Sequence, residues 1–99
     1  MSVLVVTSIN VVGYTKTKAD VLASHCSRGD IVCMHETHLG LTSNQPALPG
    51  MKLLAEIRHP KYSSAVFVKS LMDVREINTN SSDTNIETVT ICLPEIWGL

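Results

Sequence analysis

The sequence predicts an α/β fold in which a strand, a helix and a second strand form one crossover unit, followed by mostly antiparallel strands. Apolar runs at residues 3–9 and 31–34 flank a segment with helical periodicity. Shorter apolar runs further on are separated by turn-forming residues, which is typical of antiparallel strands. With 99 residues, of which 44% are hydrophobic and 17% charged, the chain has the composition of one globular domain.

The first strand is predicted over residues 3–9, and its density of Val and Leu favours a central strand buried on both faces. A helix follows over residues 15–27. Its predicted apolar stripe contains Val21, Leu22, His25 and Cys26. Gly29 suits the left-handed residue that often ends a helix.

The second strand is predicted over residues 31–34, which makes it a parallel neighbour of the first. Residues 39–50 read as a loop, because they are rich in Gly, Ser, Asn and Pro. Further strands are predicted at 51–57, 65–69, 74–77 and 86–93, with a polar turn at 78–85.

The net charge and the cysteine content limit the classes of partner and of metal site that the sequence predicts. A formal net charge of -1 gives no broad basic surface for nucleic acid, so any such contact must be local. The three cysteines are odd in number and form no CxxC pair, which disfavours a disulfide framework or a cysteine-based zinc motif. The apolar N-terminal run is shorter than the roughly 20 residues of a membrane span. We therefore expect an intracellular protein, nuclear or cytoplasmic, without a membrane partner.

The stretch DIVCMHETHLG, residues 30–40, carries the candidate chemistry. The zinc-protease pattern HExxH needs two histidines four residues apart on a helix, whereas His35 and His38 are three apart and follow a strand. A mixed metal site of Cys33, His35 and His38 is a second possibility, but no fourth ligand is evident nearby. We favour a core cysteine and ordinary strand-end histidines.

Glu36 is a stronger candidate. It follows the second strand at the carboxyl end, where α/β sheets open their ligand crevices, and Asn10 stands at the same end of the first strand. A carboxylate suits Mg²⁺ or Mn²⁺ better than zinc. Parallel pairing of the two strands predicts that Asn10 and Glu36 lie close together.

Four segments also carry a resemblance: SVLVVTSINVVGYTKTKADVL, GDIVCMHETHLG, LPGMKLL and SSAVFVKS. In order and spacing they resemble the N-terminal half of the endonuclease/exonuclease/phosphatase superfamily, and most closely the apurinic-type endonuclease domain of non-LTR retrotransposons. The strongest is DIVCMHETHLG, which is similar to the family's Gln-Glu-Thr motif.

The resemblance implies a four-layer sandwich of two β-sheets with helices outside, acting as a divalent-metal DNA phosphodiesterase. Asn10 would then be a catalytic residue that positions the phosphate or the catalytic carboxylate. Glu36 would bind Mg²⁺ or Mn²⁺ at a single site, and DNA would be the partner of the full-length family member.

The chain departs from the family at several positions. Ile9 stands for a Trp, Val12 for a polar residue, His35 for a Gln, and Ser63 and Ser64 for a pair of glycines. The family's later motifs, which supply the general base and a terminal Asp-His pair, do not occur in the 99 residues.

These departures lead to the following expectations. Residues 1–99 form a single partial domain, truncated at its C-terminus, with an incomplete metal site and no activity alone. The alternatives are a non-catalytic remnant or interaction module and, less favoured, a phosphatase-type member of the superfamily. An uncovered sheet face would promote self-association.

Overall fold

The computed structural model describes residues 4–40, 42, 44–70, 72, 75–81 and 87–92. Their elements run, in chain order, β1 Val6–Asn10, α1 Lys16–His25, β2 Ile31–His35, β3 Met51–Ile57, β4 Ser64–Lys69, β5 Arg75–Ser81 and β6 Glu87–Cys92. In the described residues this is a mixed α/β fold with a four-stranded sheet and one helix, which confirms the α/β class.

The four-stranded sheet has the order β1-β2-β4-β3. β1 pairs with β2 in parallel, and α1 connects them, so the predicted crossover is confirmed. β4 pairs antiparallel with both β2 and β3, as predicted for the later strands. β5 and β6 form a separate antiparallel pair.

The prediction that the first strand is central is wrong for the described sheet, because β1 lies at its edge. Residues alternate along β1, with Val6, Ser8 and Asn10 exposed. β2 is one of the two inner strands, with β4, and its residues from Ile31 to Met34 are buried or half-buried. Because alternate positions of β1 are exposed, this otherwise apolar strand can carry the polar side chains of Ser8 and Asn10.

Helix α1 begins where Thr15 accepts a hydrogen bond from the Lys18 backbone N–H at 3.1 Å, an N-cap that satisfies one free donor of the first turn. It ends at His25. The predicted stripe is partly wrong: Leu22 and Cys26 are buried, but Val21 is 56% exposed and His25 is also exposed. Ala19, at three residues before Leu22, completes the buried side.

Gly29 does not take the left-handed conformation predicted for it, since the glycines with positive φ among the described residues are Gly13, Gly40 and Gly50. Close packing, rather than a left-handed conformation, favours glycine at this position. A Cβ atom there would lie 2.9 Å from Thr7 Oγ1 and 3.3 Å from a Val32 methyl. A side chain at this position would therefore push the helix exit away from the sheet.

The core has one cluster on each face of the sheet. On the helix side, Leu22 and Cys26 pack with residues that include Val32, Met34 and Phe67. On the opposite face the buried residues are Ile31, Ala55, Val66 and Val68. That second face is thus well covered at β2 and β4.

The later chain differs from the prediction at one turn. Residues 78–81, predicted as part of a polar turn, belong to strand β5 and pair with β6. Backbone pairing to a neighbouring strand can override the low strand propensity of Asn and Ser. The rest of that turn, residues 82–86, lies outside the described residues.

Candidate functional site

The parallel pairing of β1 and β2 places Asn10 directly opposite His35, the last residue of β2. Glu36 follows immediately, so both candidate residues lie at the carboxyl edge of the sheet. The Asn10 Nδ2 group donates a hydrogen bond to Glu36 Oε2. The structure therefore brings the two residues together as the strand order predicts, while their roles in catalysis and metal binding stay predictions.

The Asn10 amide has a defined orientation. Its Oδ1 accepts a hydrogen bond from the Val12 backbone N–H at 3.0 Å, while its Nδ2 faces the Glu36 carboxylate. An amide turned the other way would set two acceptors against each other at Glu36. The Val12 contact thus decides which end of the amide the carboxylate meets.

Glu36 and His38 both adopt left-handed backbone conformations, with φ of 53° and 57°. This brings their side chains to the same side, where His38 Nε2 lies 3.6 Å from Glu36 Oε1. The two side chains are 35% and 41% exposed, respectively. One carboxylate oxygen therefore contacts Asn10, and the other faces a histidine and solvent.

Backbone hydrogen bonds continue past the strand ends and hold three segments together. Gly13 N–H donates to the Glu36 carbonyl at 2.8 Å, and Tyr14 N–H to the Thr37 carbonyl at 2.7 Å. On the other side, His38 N–H donates to the Tyr62 carbonyl at 2.8 Å. The segment that carries Glu36 is thus fixed from both sides although it is not a strand.

Strain collects at this edge. Among the described residues, the non-glycine positions with positive φ are Val12, Glu36, His38 and Ser63, and all four lie in the three bonded segments. Such conformations cost free energy and persist where surrounding contacts over-determine them. An observed cluster of this kind supports the hypothesis of a functional site.

Two buried hydroxyl groups, those of Ser63 and Thr37, accept hydrogen bonds from the backbone near the segment that carries Glu36. Ser63 is fully buried, and its Oγ accepts hydrogen bonds from Gly40 N–H and His59 N–H, both at 3.0 Å. Thr37 is 1% exposed and accepts a weak contact from Leu39 N–H at 3.5 Å. Ser63 therefore has a structural role here.

The histidine alternatives do not form a site. The segment after β2 is not helical, which removes the HExxH arrangement. His35 Nε2 lies 2.7 Å from Ser8 Oγ, whereas His38 contacts Glu36. Burial raises the pKa of the Cys33 thiol, which disfavours the thiolate that metal binding needs. The described residues contain no group of three His, Cys, Asp or Glu side chains placed to hold a metal ion.

The donors at the sheet edge fit a divalent cation in a limited way. Glu36 offers one carboxylate oxygen, Oε1, that is free of the Asn10 contact and open to solvent. Mg²⁺ keeps several waters and often binds through one or two carboxylates together with substrate phosphates. Glu36 is one such carboxylate, and the binding of Mg²⁺ or Mn²⁺ there stays a prediction.

Sequence reasoning missed two neighbours of the pair. Ser8 contacts His35, and the Lys18 ammonium contacts the loop after β1. Ser8 could have been found, because it lies two residues before Asn10 and therefore on the same face of β1. Lys18 had no such signal, since its contact depends on how α1 crosses the loop.

A scan against protein-family models finds no family that matches this chain, and a search of the curated proteins finds no match. Membership of the endonuclease/exonuclease/phosphatase superfamily therefore stays a prediction from the sequence motifs. No helix in the described part of the chain combines the length and hydrophobicity needed to cross a bilayer.

Proposed function

We propose that this chain is the N-terminal part of a divalent-metal-dependent DNA endonuclease of the retrotransposon type, within the endonuclease/exonuclease/phosphatase superfamily. The observation that supports the proposal best is the Asn10–Glu36 contact at the carboxyl ends of two parallel strands. On this proposal the domain has the superfamily's four-layer sandwich, to which the described sheet and helix would contribute one sheet and one helical layer.

In this proposal Glu36 holds Mg²⁺ or Mn²⁺ through its solvent-facing oxygen. When bound, the ion supplies charge stabilisation at a scissile phosphate and at the leaving oxygen. Asn10 keeps the carboxylate turned toward the ion by donating to its other oxygen. The backbone bonds at Gly13 and Tyr14 hold Glu36 in its left-handed conformation, so the carboxylate does not need to reorganise on binding.

The loop between β3 and β4 supports nucleic acid as the substrate class. Its sequence Arg58-His59-Pro60-Lys61-Tyr62 combines basic and aromatic residues. The Arg58 guanidinium pairs with Glu56 at 2.8 Å and donates to the Thr42 carbonyl, so the exposed Lys61 is the cation that this loop offers. The His59 and Tyr62 rings stack with centroids 5.8 Å apart. Tyr62 is 39% exposed, and its carbonyl binds the His38 N–H beside the candidate site. Proteins bind single-stranded or opened nucleic acid through aromatic rings, on which the bases stack, and through cationic side chains, which contact the backbone.

A second candidate function is a non-catalytic interaction module with a retained sheet edge. The observation that favours it is the small number of possible metal ligands near Glu36. At this sheet edge the described residues provide one carboxylate and no evident base for an attacking water. A phosphatase-type activity is less favoured, since no contact in the described residues points to a small phosphate ester. Self-association is also part of this second proposal, with the exposed Val6 on edge strand β1 as its contact.

Nicking of supercoiled plasmid DNA by the purified 99-residue chain tests whether the chain is active alone. Because the chain is expected to be inactive alone, we expect its nicking not to exceed that of Glu36→Gln. The first proposal predicts instead that the chain binds Mg²⁺ or Mn²⁺ and that this affinity falls at least about tenfold in Glu36→Gln, the scale of a lost metal contact. Asp20→Asn on exposed α1 makes the same change of charge away from the sheet edge and serves as the matched control.

Cation binding is measured separately, from Mn²⁺-induced broadening of amide signals. Broadening around Glu36 that is lost in Glu36→Gln and kept in Asp20→Asn would support the first proposal, whereas no broadening in the wild type would favour the non-catalytic module. Equal broadening in wild type and Glu36→Gln would remove Glu36 from cation binding and contradict the first proposal.

A further inference from the structure

Lys18 makes an unusual set of contacts for a lysine at the start of a helix. Its Nζ donates to the backbone carbonyls of Val11 at 3.0 Å, Val12 at 3.0 Å and Gly13 at 2.9 Å. An ammonium group has three N–H donors, so this loop uses all of them. Lys18 is therefore committed to the loop after β1 and is not a free cation for a phosphate.

That loop needs such a partner. Val12 has a φ of 48°, which for a β-branched residue is a genuine outlier. The Val12 side chain is 65% exposed, so its burial does not offset the cost. The Lys18 contacts to the carbonyls on both sides of this residue help to hold the conformation, together with the flanking backbone bonds from Val11 to His35 and from Gly13 to Glu36.

Val12, the strained residue, also orients the Asn10 side chain. The Val12 N–H donates to Asn10 Oδ1, and this bond directs the Asn10 Nδ2 toward Glu36. A change in the backbone at Val12 would therefore move the Asn10 amide. A continuous series of contacts runs from Lys18 through Val12 and Asn10 to the carboxylate.

We propose that Lys18 is a positioning residue for the Asn10–Glu36 pair, acting through the backbone of Val12. Its effect on cation binding rests on the proposed function, whereas its effect on the Asn10 amide does not. The expected sign is distinctive. A positive charge near Glu36 opposes cation binding, so simple loss of charge would tighten binding, while loss of positioning would weaken it.

The test compares Lys18→Met with Lys16→Met, which removes the same charge from the same helical turn at a residue without these carbonyl contacts. In ¹H–¹⁵N spectra we expect Lys18→Met to shift the Asn10 side-chain amide signals and the Val12 backbone amide, and Lys16→Met to leave them in place. We also expect Mn²⁺ affinity, measured by broadening near Glu36, to fall about tenfold in Lys18→Met alone, the lower end for loss of a supporting partner.

Unmoved Asn10 signals in Lys18→Met would overturn the proposal, as would Mn²⁺ binding that tightens equally in both variants. If the wild type binds no Mn²⁺, the cation-binding function fails, and the Asn10 signals still decide the role of Lys18. If Lys18→Met does not give a dispersed spectrum, Lys18→Gln, which keeps a shorter neutral donor, takes its place. The same shift of Asn10 is expected there, and its absence contradicts the proposal.

Discussion

Strand β2 has an acidic residue at each end, Asp30 before it and Glu36 after it, and the two differ in every contact. Asp30 is buried, accepts a hydrogen bond from Val5 N–H at 2.8 Å, and pairs with Lys69 Nζ at 2.9 Å. Glu36 is 35% exposed and contacts one amide and one histidine. Asp30 uses both of its oxygens to join chain segments, whereas Glu36 keeps an oxygen open to solvent.

The difference separates a structural edge of the sheet from a candidate functional edge. At the Asp30 edge, Gly29 packs closely against Thr7 and Val32, and its φ is not positive. At the Glu36 edge, several residues hold strained conformations around an exposed carboxylate. The first edge thus uses its carboxylate to join chain segments, whereas the second leaves its carboxylate partly exposed.

The largest expected effect is a contrast between Asp30→Ala and Glu36→Ala in unfolding free energy. Asp30→Ala leaves the Val5 N–H and the Lys69 ammonium without their acceptor, and we expect a loss of about 2 to 3 kcal/mol. Glu36→Ala removes contacts at an exposed position, and we expect a change within about 0.5 kcal/mol. Urea unfolding of both variants measures this. Equal losses would mean that the two edges do not differ in the way described.

A smaller effect is expected for Gly29→Ala, about 1 to 2 kcal/mol of destabilisation, from overpacking against Thr7 and Val32. The double variant with Thr7→Ala removes the nearest atom, Thr7 Oγ1. It should recover part of the loss in a double-mutant cycle measured by urea unfolding. Additive losses in the double variant would show that this contact is not the cause.

A smaller effect again is expected from acid, which should reduce the contribution of Asp30 to stability. The hydrogen bond from Val5 N–H, and after it the hydrogen bond from Lys69, holds the pKa of the Asp30 carboxyl below its ordinary value. A lowered folded-state pKa adds stability above the unfolded pKa, and this part is lost as pH falls through the folded value. We therefore expect the stability difference between wild type and Asp30→Asn to be constant above about pH 5 and to shrink below about pH 4. Unfolding midpoints from pH 7 to pH 2 measure it, and a difference that grows on acidification would contradict the assignment.

The smallest effect concerns strain at the functional edge. Glycine adopts positive φ without steric cost, so Val12→Gly should stabilise the fold by about 0.5 kcal/mol after its larger entropy loss. Val21→Gly, at an exposed position inside α1, should instead destabilise it by about 0.5 kcal/mol. Thermal unfolding of the pair gives the sign of each change. A loss at both positions would mean that Val12 is not strained.

Much of the fold could be predicted from the sequence because the signals were local. The crossover unit followed from two apolar runs and the periodicity around Leu22 and Cys26, and the Asn10–Glu36 contact followed from parallel pairing. What could not be predicted depended on tertiary packing. The edge position of β1 is set by which strand pairs with β4, and the role of Lys18 is set by how α1 crosses the loop.

The bonds on both sides of the segment at residues 36–38 have a consequence for the order of folding. One side is closed by residues 13 and 14, which precede the segment in the chain, and the other by residues 62 and 63, which follow it and lead into β4. A chain under synthesis emerges from its N-terminus, so residues 62 and 63 become available after residues 13 and 14. The edge that holds Glu36 therefore matures only when β4 joins the sheet, so a nascent chain passes through a stage in which the βαβ unit exists and the carboxylate is not yet set in place.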